Sequence, residues 1–168
     1  MNCKVDKPYP EIKVEGENLY YADILLNDYT GIVSETSAVF LYSYEHIYKF
    51  KENIEFSEVM EQISIVEMHH LEILGKLITL LGGNPIFKVK ENYNNYLTYW
   101  SSSFIDYENN IIDMLKTNIK GEEQAIKNYK CHASIINDKY IKGILYRIIE
   151  DEEKHIECFK ILLQKYCY

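Results

Sequence analysis

Residues 63–81, ISIVEMHHLEILGKLITLL, decide the fold of this 168-residue chain. One face of the segment repeats at alternating steps of four and three residues, which is the period of an α-helix. That face consists of Ile63, Glu67, His70, Leu74, Leu77 and Leu81. A carboxylate and an imidazole therefore point into an otherwise apolar core. Because burying an unpaired carboxylate costs several kcal/mol, the pattern predicts a partner that holds it.

The same pattern recurs near the C-terminal end of the sequence. A second helical face consists of Ile141, Leu145, Ile148, Glu152, His155, Phe159, Leu162 and Tyr166. One Glu-x-x-His motif in a helix is weak evidence of a site. Two inward-facing motifs on two long helices predict a metal centre between them.

Two further predicted helices each carry one inward glutamate, Glu35 and Glu122. The four helices are expected at residues 19–50, 57–81, 103–136 and 139–166, with a break in the first near Gly31. This order predicts an all-α, ferritin-like four-helix bundle with a long crossover between helices 2 and 3.

The segments around the four helices are expected to lack regular secondary structure. Residues 1–18, which contain Pro8 and Pro10, are expected to form an extended arm, and residues 19–168 the bundle domain. No strand is expected in the crossover. Its aromatic residues are expected to pack along the bundle, and they are Tyr93, Tyr96, Tyr99 and Trp100.

The spacing of the acidic residues predicts that the site lies at one level of the bundle. Glu67 follows Glu35 by 32 residues, and Glu152 follows Glu122 by 30. Two divalent cations would balance the four carboxylates, for which no inward lysine or arginine is expected. Carboxylate and imidazole ligands suit Fe or Mn, about 3.5–4 Å apart. We expect Glu67 and Glu152 to bridge the ions.

The remaining roles follow from position on the helices. The terminal metal ligands are expected to be Glu35 with His70 and Glu122 with His155. Tyr42 and Tyr129 each follow a lone glutamate by seven residues, and each is expected to donate a hydrogen bond to a ligand carboxylate and to pass protons.

Several other polar residues are interpreted from their position relative to these faces. Asp151 is expected to orient His70. His46 is interpreted as structural, and Cys158 as an inert packed thiol. Four residues are expected at the surface or flank, and they are His69, Glu123, His132 and Glu153.

Composition excludes several classes of partner. The formal net charge of −8 disfavours nucleic acid and anionic membranes. The sequence shows no signal peptide and no apolar run long enough to span a membrane. The four cysteines form no C-x-x-C pair, which excludes a rubredoxin-type iron centre. Unpaired thiols are typical of a reducing cytoplasm, where the protein is expected to reside.

The sequence resembles the ferritin-like di-metal carboxylate superfamily, which includes bacterioferritin, rubrerythrin and manganese catalase. EMHH at residues 67–70, followed by LGGNP at 81–85, looks like the second helix of a bacterioferritin. DMLK at 113–116, leading to Glu122, and DEEKHI at 151–156 look like its third and fourth helices. The arm and GIVSE at residues 31–35 are more similar to the short relatives of manganese catalase.

The sequence also departs from these relatives. Only 13 residues follow His155, too few for the fifth helix that closes a ferritin cage, so a large iron-storing shell is not expected. An additional glutamate of rubrerythrins corresponds here to Ala125. No haem is expected.

The resemblance implies a di-iron or di-manganese oxidoreductase that acts on hydrogen peroxide or O2. The leading hypothesis is a peroxidase or ferroxidase, for which electrons come from iron or from a separate rubredoxin-type protein. One alternative is a manganese catalase that disproportionates H2O2. Another is a non-catalytic metal-binding protein or a component of a spore coat or iron-handling assembly. A homodimer is expected.

Overall fold

The computed structural model describes residues 1–90 and 97–166, which form a helical bundle. Its helices are α1 (Leu19–Thr30), α2 (Glu35–Lys49), α3 (Ile54–Leu80), α4 (Ile111–Ile135) and α5 (Lys139–Tyr166). The helix pairs α2–α3 and α4–α5 pack as hairpins. This confirms the predicted ferritin-like architecture with a crossover between α3 and α4. Within the described residues, no helix is both long and apolar enough to cross a membrane.

The predicted break in the first helix separates α1 from α2. At the end of α1, the Gly31 N–H donates to the Asn27 carbonyl oxygen at 2.8 Å. A Cβ atom at position 31 would collide with that same oxygen, so the position favours glycine. Ser34 then caps α2 by accepting a hydrogen bond from the Ser37 N–H. The break places Glu35 in the first turn of α2.

The end of α3 follows the glycine signal in the sequence. Gly82 adopts a φ of 82°, in the left-handed region that glycine occupies without a steric penalty. The N–H of Gly83 returns to the Ile78 carbonyl at 2.9 Å, which satisfies one of the last carbonyls of the helix. The chain therefore leaves α3 at the predicted position.

Two apolar clusters form the core of the bundle, one toward each end. The first cluster includes Leu74 on α3 and Leu145 on α5. The second includes Ile63 on α3, Leu115 on α4 and Phe159 on α5. The two Glu-x-x-His motifs lie in sequence between these clusters, so the candidate site occupies the layer that separates them.

The crossover differs from the prediction. It contains a short antiparallel hairpin of β1 (Lys88–Lys90) and β2 (Leu97–Tyr99), where no strand was expected. Strands of three residues are too short to show a two-residue period. Tyr99 is 77% exposed and does not pack on the bundle, whereas Trp100 stacks on Phe40 with ring centroids 5.0 Å apart. Tyr93 and Tyr96 lie outside the described residues.

The third predicted helix begins later than expected. A single 3₁₀ turn occupies Ser102–Phe104, and α4 starts only at Ile111. The side chain of Asn110 accepts a hydrogen bond from the Asp113 N–H at 2.9 Å and caps the helix. The predicted start at residue 103 was therefore wrong by eight residues.

The arm is bound covalently to the bundle. Cys3 and Cys158 form a disulfide with a Cα–Cα distance of 6.1 Å. The interpretation of Cys158 as an inert thiol was wrong, and the cytoplasmic prediction loses the support of unpaired thiols. Nothing local in the sequence indicates a pair separated by 155 residues. Cys131 is a free, exposed thiol, and Cys167 lies outside the described residues.

Replacing Cys3 with serine is expected to lower the free energy of unfolding by about 2–5 kcal/mol, because the crosslink restricts the unfolded chain. Guanidinium unfolding of the oxidised proteins measures the difference. Treating both proteins with a thiol reductant should remove most of it, and Cys131→Ser serves as the control. Equal stability of the oxidised wild type and Cys3→Ser would contradict a stabilising crosslink.

Candidate metal centre

The structure brings all six predicted ligand side chains into one buried layer. Each of them is less than 4% exposed. They come from four helices: α2 supplies Glu35, α3 supplies Glu67 and His70, α4 supplies Glu122, and α5 supplies Glu152 and His155. The predicted convergence is therefore present in the fold. Their assignment as metal ligands stays a prediction at this point.

The six side chains form two overlapping sets of four potential ligands. One set comprises Glu35, Glu67, His70 and Glu152, and the other comprises Glu67, Glu122, Glu152 and His155. Within each set, one ligand atom from each residue lies within 4.8 Å of the others. Glu67 and Glu152 belong to both sets, which is the geometry that two bridging carboxylates require.

Each imidazole turns its Nδ1 atom toward carboxylates from three helices. His70 Nδ1 lies 3.0 Å from Glu67, 3.2 Å from Glu152 and 3.5 Å from Glu35. His155 Nδ1 lies 2.9 Å from Glu152, 3.0 Å from Glu67 and 3.6 Å from Glu122. The two halves of the site are thus near copies of each other.

The electrostatics of the layer reflect four acids whose only basic neighbours among the described residues are the two imidazoles. Burial, reinforced by the charge of Glu152, raises the pKa of Glu67 well above its usual range and that of Glu122 to about 7. Burial lowers the pKa of His70 and His155, but the carboxylates around each imidazole raise it by more, so the net pKa of each is well above 6.5. The raised pKa values mean that these side chains retain protons, which offset the negative charge of the buried carboxylates.

The donor atoms of this layer fit divalent cations. Among the described residues, no lysine or arginine pairs with its four glutamates. Glu35 Oε2 and Glu67 Oε1 are buried, and although an imidazole Nδ1 lies 3.5 Å from the first and 3.0 Å from the second, neither oxygen accepts a hydrogen bond of good geometry. Buried polar atoms without partners are costly, and a bound cation would satisfy these oxygens. Carboxylate and imidazole donors together are suited to Fe or Mn.

Both predicted tyrosines contact candidate ligands, each across the bundle. Tyr42 on α2 donates to Glu122 Oε1 on α4 at 2.6 Å, and Tyr129 on α4 donates to Glu35 on α2. Seven residues along one helix span roughly 10 Å, so the ligand on the facing helix lies nearer. Burial first, and the adjacent carboxylate second, raise the pKa of each tyrosine well above 10.

The outer nitrogen of His70 meets a network that includes the arm. His70 Nε2 lies 3.2 Å from Asp151 Oδ2, as predicted, and 3.0 Å from the Tyr9 hydroxyl, which sequence reasoning missed. Tyr9 also donates to Asp151, and Arg147 Nη1 lies 2.7 Å from Asp151 Oδ2. Arg147 donates further to the carbonyl of Val5 in the arm. The arm therefore supports the position of a candidate ligand.

Arg147 corrects the expectation that no arginine points inward, since it is only 3% exposed. Its nearest carboxylate is Asp151, four residues along α5, and Glu150 lies at 3.9 Å; neither belongs to the four glutamates of the centre. A spacing of four residues between opposite charges on a helix is a recognisable signal that could have identified this pair. No periodic pattern in the arm could have identified Tyr9.

A second buried pair of charged side chains lies beside the centre, and the sequence analysis did not predict it. His132 Nδ1 on α4 lies 2.7 Å from Asp28 Oδ2 on α1, and Asp28 is 3% exposed. Burial raises the pKa of Asp28 to about 6, although His132 opposes the shift. Burial lowers the pKa of His132, and the hydrogen bond and charge of Asp28 raise it to a net value above 6.5.

The other interpreted polar residues lie largely where they were expected. His46 is structural, with Nδ1 2.9 Å from the Ser57 carbonyl oxygen. Three of the residues expected at the surface are exposed, and they are His69, Glu123 and Glu153.

The Asp28 pair predicts a pH-dependent stability. Because the folded-state pKa of Asp28 is raised from 3.8 to about 6, the folded chain retains a proton that the unfolded chain releases. Stability is therefore expected to fall as pH rises through this interval, by about 3 kcal/mol. The raised pKa of His132 acts in the same direction at higher pH.

Urea unfolding of metal-free wild type and Asp28→Asn between about pH 4 and pH 7 tests this prediction. The stability of the wild type relative to the variant should decrease toward neutral pH. A difference between the two proteins that is independent of pH would contradict it. Exposed Asp106→Asn is the control.

The chain is similar to known proteins in sequence. The rubrerythrin family model matches residues 29–163. A probable manganese catalase from Clostridium acetobutylicum is 25% identical over 171 residues, covering 92% of this chain and 75% of the relative.

Solved structures show the same fold. KatB, a manganese catalase from Anabaena, has a TM-score of 0.81 at 21% identity, over 96% of this chain and 79% of KatB. A bacterioferritin from Rhodobacter capsulatus has a TM-score of 0.69 at 19% identity, over 90% of this chain and 88% of that protein.

Proposed function

The chain belongs to the rubrerythrin family, and from this premise we propose that it is a two-metal oxidoreductase that consumes peroxide. The observation that carries the proposal is the pair of overlapping four-ligand sets, which share Glu67 and Glu152. In the proposed centre these two residues would hold both ions, Glu35 and His70 would hold one of them, and Glu122 and His155 would hold the other. Two bound Fe or Mn ions supply a reversible two-electron change for cleaving an O–O bond.

The chain's own residues position the substrate and supply protons. Tyr42 and Tyr129 hold the two terminal carboxylates and line the cavity that reaches the centre. Each phenol can hand a proton to a departing oxygen through the carboxylate that it contacts. On the opposite side, Asp151 and Tyr9 fix the ring of His70, so that Nδ1 remains directed at the carboxylates.

Replacing Tyr42 or Tyr129 with phenylalanine is expected to lower kcat for H2O2 by about tenfold with the metal content retained, since the hydroxyl supports a ligand without being one. Metal analysis and steady-state kinetics measure the two effects. Tyr48→Phe, an exposed tyrosine on the same helix as Tyr42, is the matched control. Unchanged kcat in both variants would remove the tyrosines from the mechanism.

Two alternative reactions would use the proposed centre. In the first, peroxide is reduced with electrons from Fe(II) or from a separate rubredoxin-type donor, and O2 serves as the oxidant in a ferroxidase variant of it. In the second, H2O2 is disproportionated to water and O2. The second reaction is favoured by the similarity of the chain to two proteins described as manganese catalases. The separate donor and a homodimer stay predictions.

Metal analysis of the natively purified protein, followed by assays of separately loaded Fe and Mn forms, tests the proposal. O2 evolution from H2O2 indicates disproportionation, whereas oxidation of reduced rubredoxin or Fe(II) indicates the first reaction. If neither form exceeds a Glu67→Gln variant, the proposed function is wrong. A helical protein that purifies without metal and is inactive after loading would indicate the non-catalytic role.

A further inference from the structure

A cavity of about 340 Å³ leads from the surface to the candidate centre between α2 and α4. Exposed side chains, Ile32 and Lys120 among them, line its outer end. Buried carboxylates, including those of Glu35 and Glu122, line its inner end. The cavity therefore connects the candidate centre with the surface between these two helices.

The cavity is much larger than peroxide requires. One water molecule occupies roughly 30 Å³ in the liquid, and hydrogen peroxide has one heavy atom more. Sites for organic small molecules begin at roughly 300 Å³. A site that served H2O2 or O2 alone would need only a small part of this space.

Part of the cavity wall is apolar. It includes Val33, Leu41, Phe104 and Ile105, and polar residues such as Ser37 and Asn118 line other parts of the wall. Such a wall gives no hydrogen bonds to a chain of water molecules, but it favours a hydrocarbon group through the hydrophobic effect. The cavity thus offers apolar side chains to a hydrocarbon group as well as the carboxylates of the candidate centre.

We propose that this cavity binds a small organic hydroperoxide, with its O–O group at the glutamates and its hydrocarbon group against the apolar wall, and that the protein reduces it to the alcohol. The inference rests on the proposed function, since it uses the same centre. It goes beyond that function by naming a second class of oxidising substrate.

The reaction balances with a reductant that the proposed function already uses. The O–O bond of ROOH breaks with the uptake of two electrons and two protons. The inner oxygen stays on carbon as ROH, and the outer oxygen leaves as water. A molecule of H2O2 that is oxidised to O2 supplies both electrons and both protons. The sum is ROOH and H2O2 giving ROH, H2O and O2. Two one-electron donor proteins can replace H2O2 as the source of electrons, in which case the two protons come from solvent water.

Gly121 on α4 offers a way to reduce the volume of the cavity. It lies in the cavity wall, and a Cβ atom there would meet no heavy atom within 4 Å. A leucine at this position occupies open space and suits a helix better than glycine does. Gly16→Leu is the matched control, since a Cβ atom at Gly16 also meets nothing within 4 Å and Gly16 does not line the cavity.

The tryptophan of the chain reports on binding without catalysis. Trp100 is the single tryptophan in the sequence, and its indole N–H donates to Ser37 Oγ at 3.1 Å. Ser37 lies in the cavity wall, so an occupant is expected to change the fluorescence of Trp100. The probe is 2-phenyl-2-propanol, the alcohol formed from cumene hydroperoxide, titrated into wild type, Gly121→Leu and Gly16→Leu.

The catalytic test supplies cumene hydroperoxide to the metal-loaded protein, with H2O2 or reduced rubredoxin as the reductant, and measures the alcohol by chromatography. We expect alcohol formation above the Glu67→Gln background and a saturable change in fluorescence. For Gly121→Leu, kcat/KM for cumene hydroperoxide should fall about tenfold more than kcat/KM for H2O2, because the bulkier substrate loses space. Gly16→Leu should match the wild type.

The possible results separate this inference from the proposed function. Consumption of H2O2 without alcohol formation would overturn the inference and leave the proposed function intact. Alcohol formation that falls no more than H2O2 turnover in Gly121→Leu would also overturn it, because the cavity would not be the binding site. If neither peroxide is consumed, the proposed function fails and the inference fails with it.

Discussion

Replacing Glu67 with glutamine is expected to eliminate binding of two ions and to lower peroxide turnover by about three orders of magnitude. Glu67 is one of two residues shared by both ligand sets, so its loss affects both ions. Stabilisation of transition-state charge by metal ions is worth several kcal/mol, and about 1.4 kcal/mol corresponds to a factor of ten in rate. Elemental analysis and steady-state kinetics measure the two effects on the same preparation.

The stability of the metal-free protein provides a second measurement on Glu67→Gln. Without metal, the layer contains four buried carboxylates and no lysine or arginine paired with them among the described residues. Because burial raises the pKa of Glu67 well above its usual range, this side chain already retains a proton, and a neutral glutamine in its place is not expected to destabilise the metal-free protein. The wild type should therefore gain more thermal stability than the variant when metal is added.

Glu58→Gln is the matched control, since Glu58 lies on the same helix and is exposed. It should bind metal and turn over peroxide like the wild type. If Glu67→Gln retained two ions per chain and normal turnover, the bridging role would be wrong. If it were destabilised equally with and without metal, Glu67 would be a structural residue.

Helical periodicity was sufficient to predict which polar side chains of the two Glu-x-x-His motifs are buried in the core. Glu67 and His70 repeat in phase with the leucines around them, and Glu152 and His155 do the same, so the burial of all four follows from local sequence. The near-equal spacings from Glu35 to Glu67 and from Glu122 to Glu152 also predicted that the halves meet at one level. These signals are strong because each helix supplies many turns of the same pattern.

Contacts between distant segments without a period were not predictable in the same way. Tyr9 lies in the arm, 61 residues from His70, and the disulfide joins Cys3 to a cysteine 155 residues later. Asp28 and His132 pair between α1 and α4 across 104 residues. Each contact depends on how whole helices and the arm pack, which one sequence does not encode in any local pattern.

Boundaries and short elements were wrong for a related reason. The helical pattern of α4 does not extend toward the N-terminus before Ile111. The cap formed by Asn110 determines where the helix starts. The hairpin of β1 and β2 has only three residue pairs, so backbone pairing across the crossover determines it, not side-chain periodicity. The long apolar faces of the helices therefore gave reliable predictions, whereas the predicted start of α4 and the predicted absence of strands in the crossover were wrong.

Replacing Asp151 with asparagine is expected to lower the free energy of unfolding by about 3–5 kcal/mol, because it leaves the buried guanidinium of Arg147 without its carboxylate. Asp151 also accepts a hydrogen bond from the Val5 N–H at 2.8 Å and lies beside Tyr9 and His70. Since the ring of His70 loses the carboxylate that orients it, metal affinity should fall about 10–100-fold. Urea unfolding of metal-free protein and competition with a chelator measure the two losses separately.

A double variant separates the structural role of Asp151 from its role toward the metal. In Asp151→Asn with Arg147→Met, this charge pair leaves no unpaired buried charge, so most of the lost stability should return. The metal affinity should stay low, because the His70 ring still lacks its carboxylate. Exposed Glu153→Gln, two residues along α5, is the control for both measurements. Recovery of metal affinity together with stability would show that Asp151 acts only through the fold. A double variant as unstable as Asp151→Asn alone would instead show that the arm contacts of Val5 and Tyr9, and not the charge pair with Arg147, carry the stabilisation.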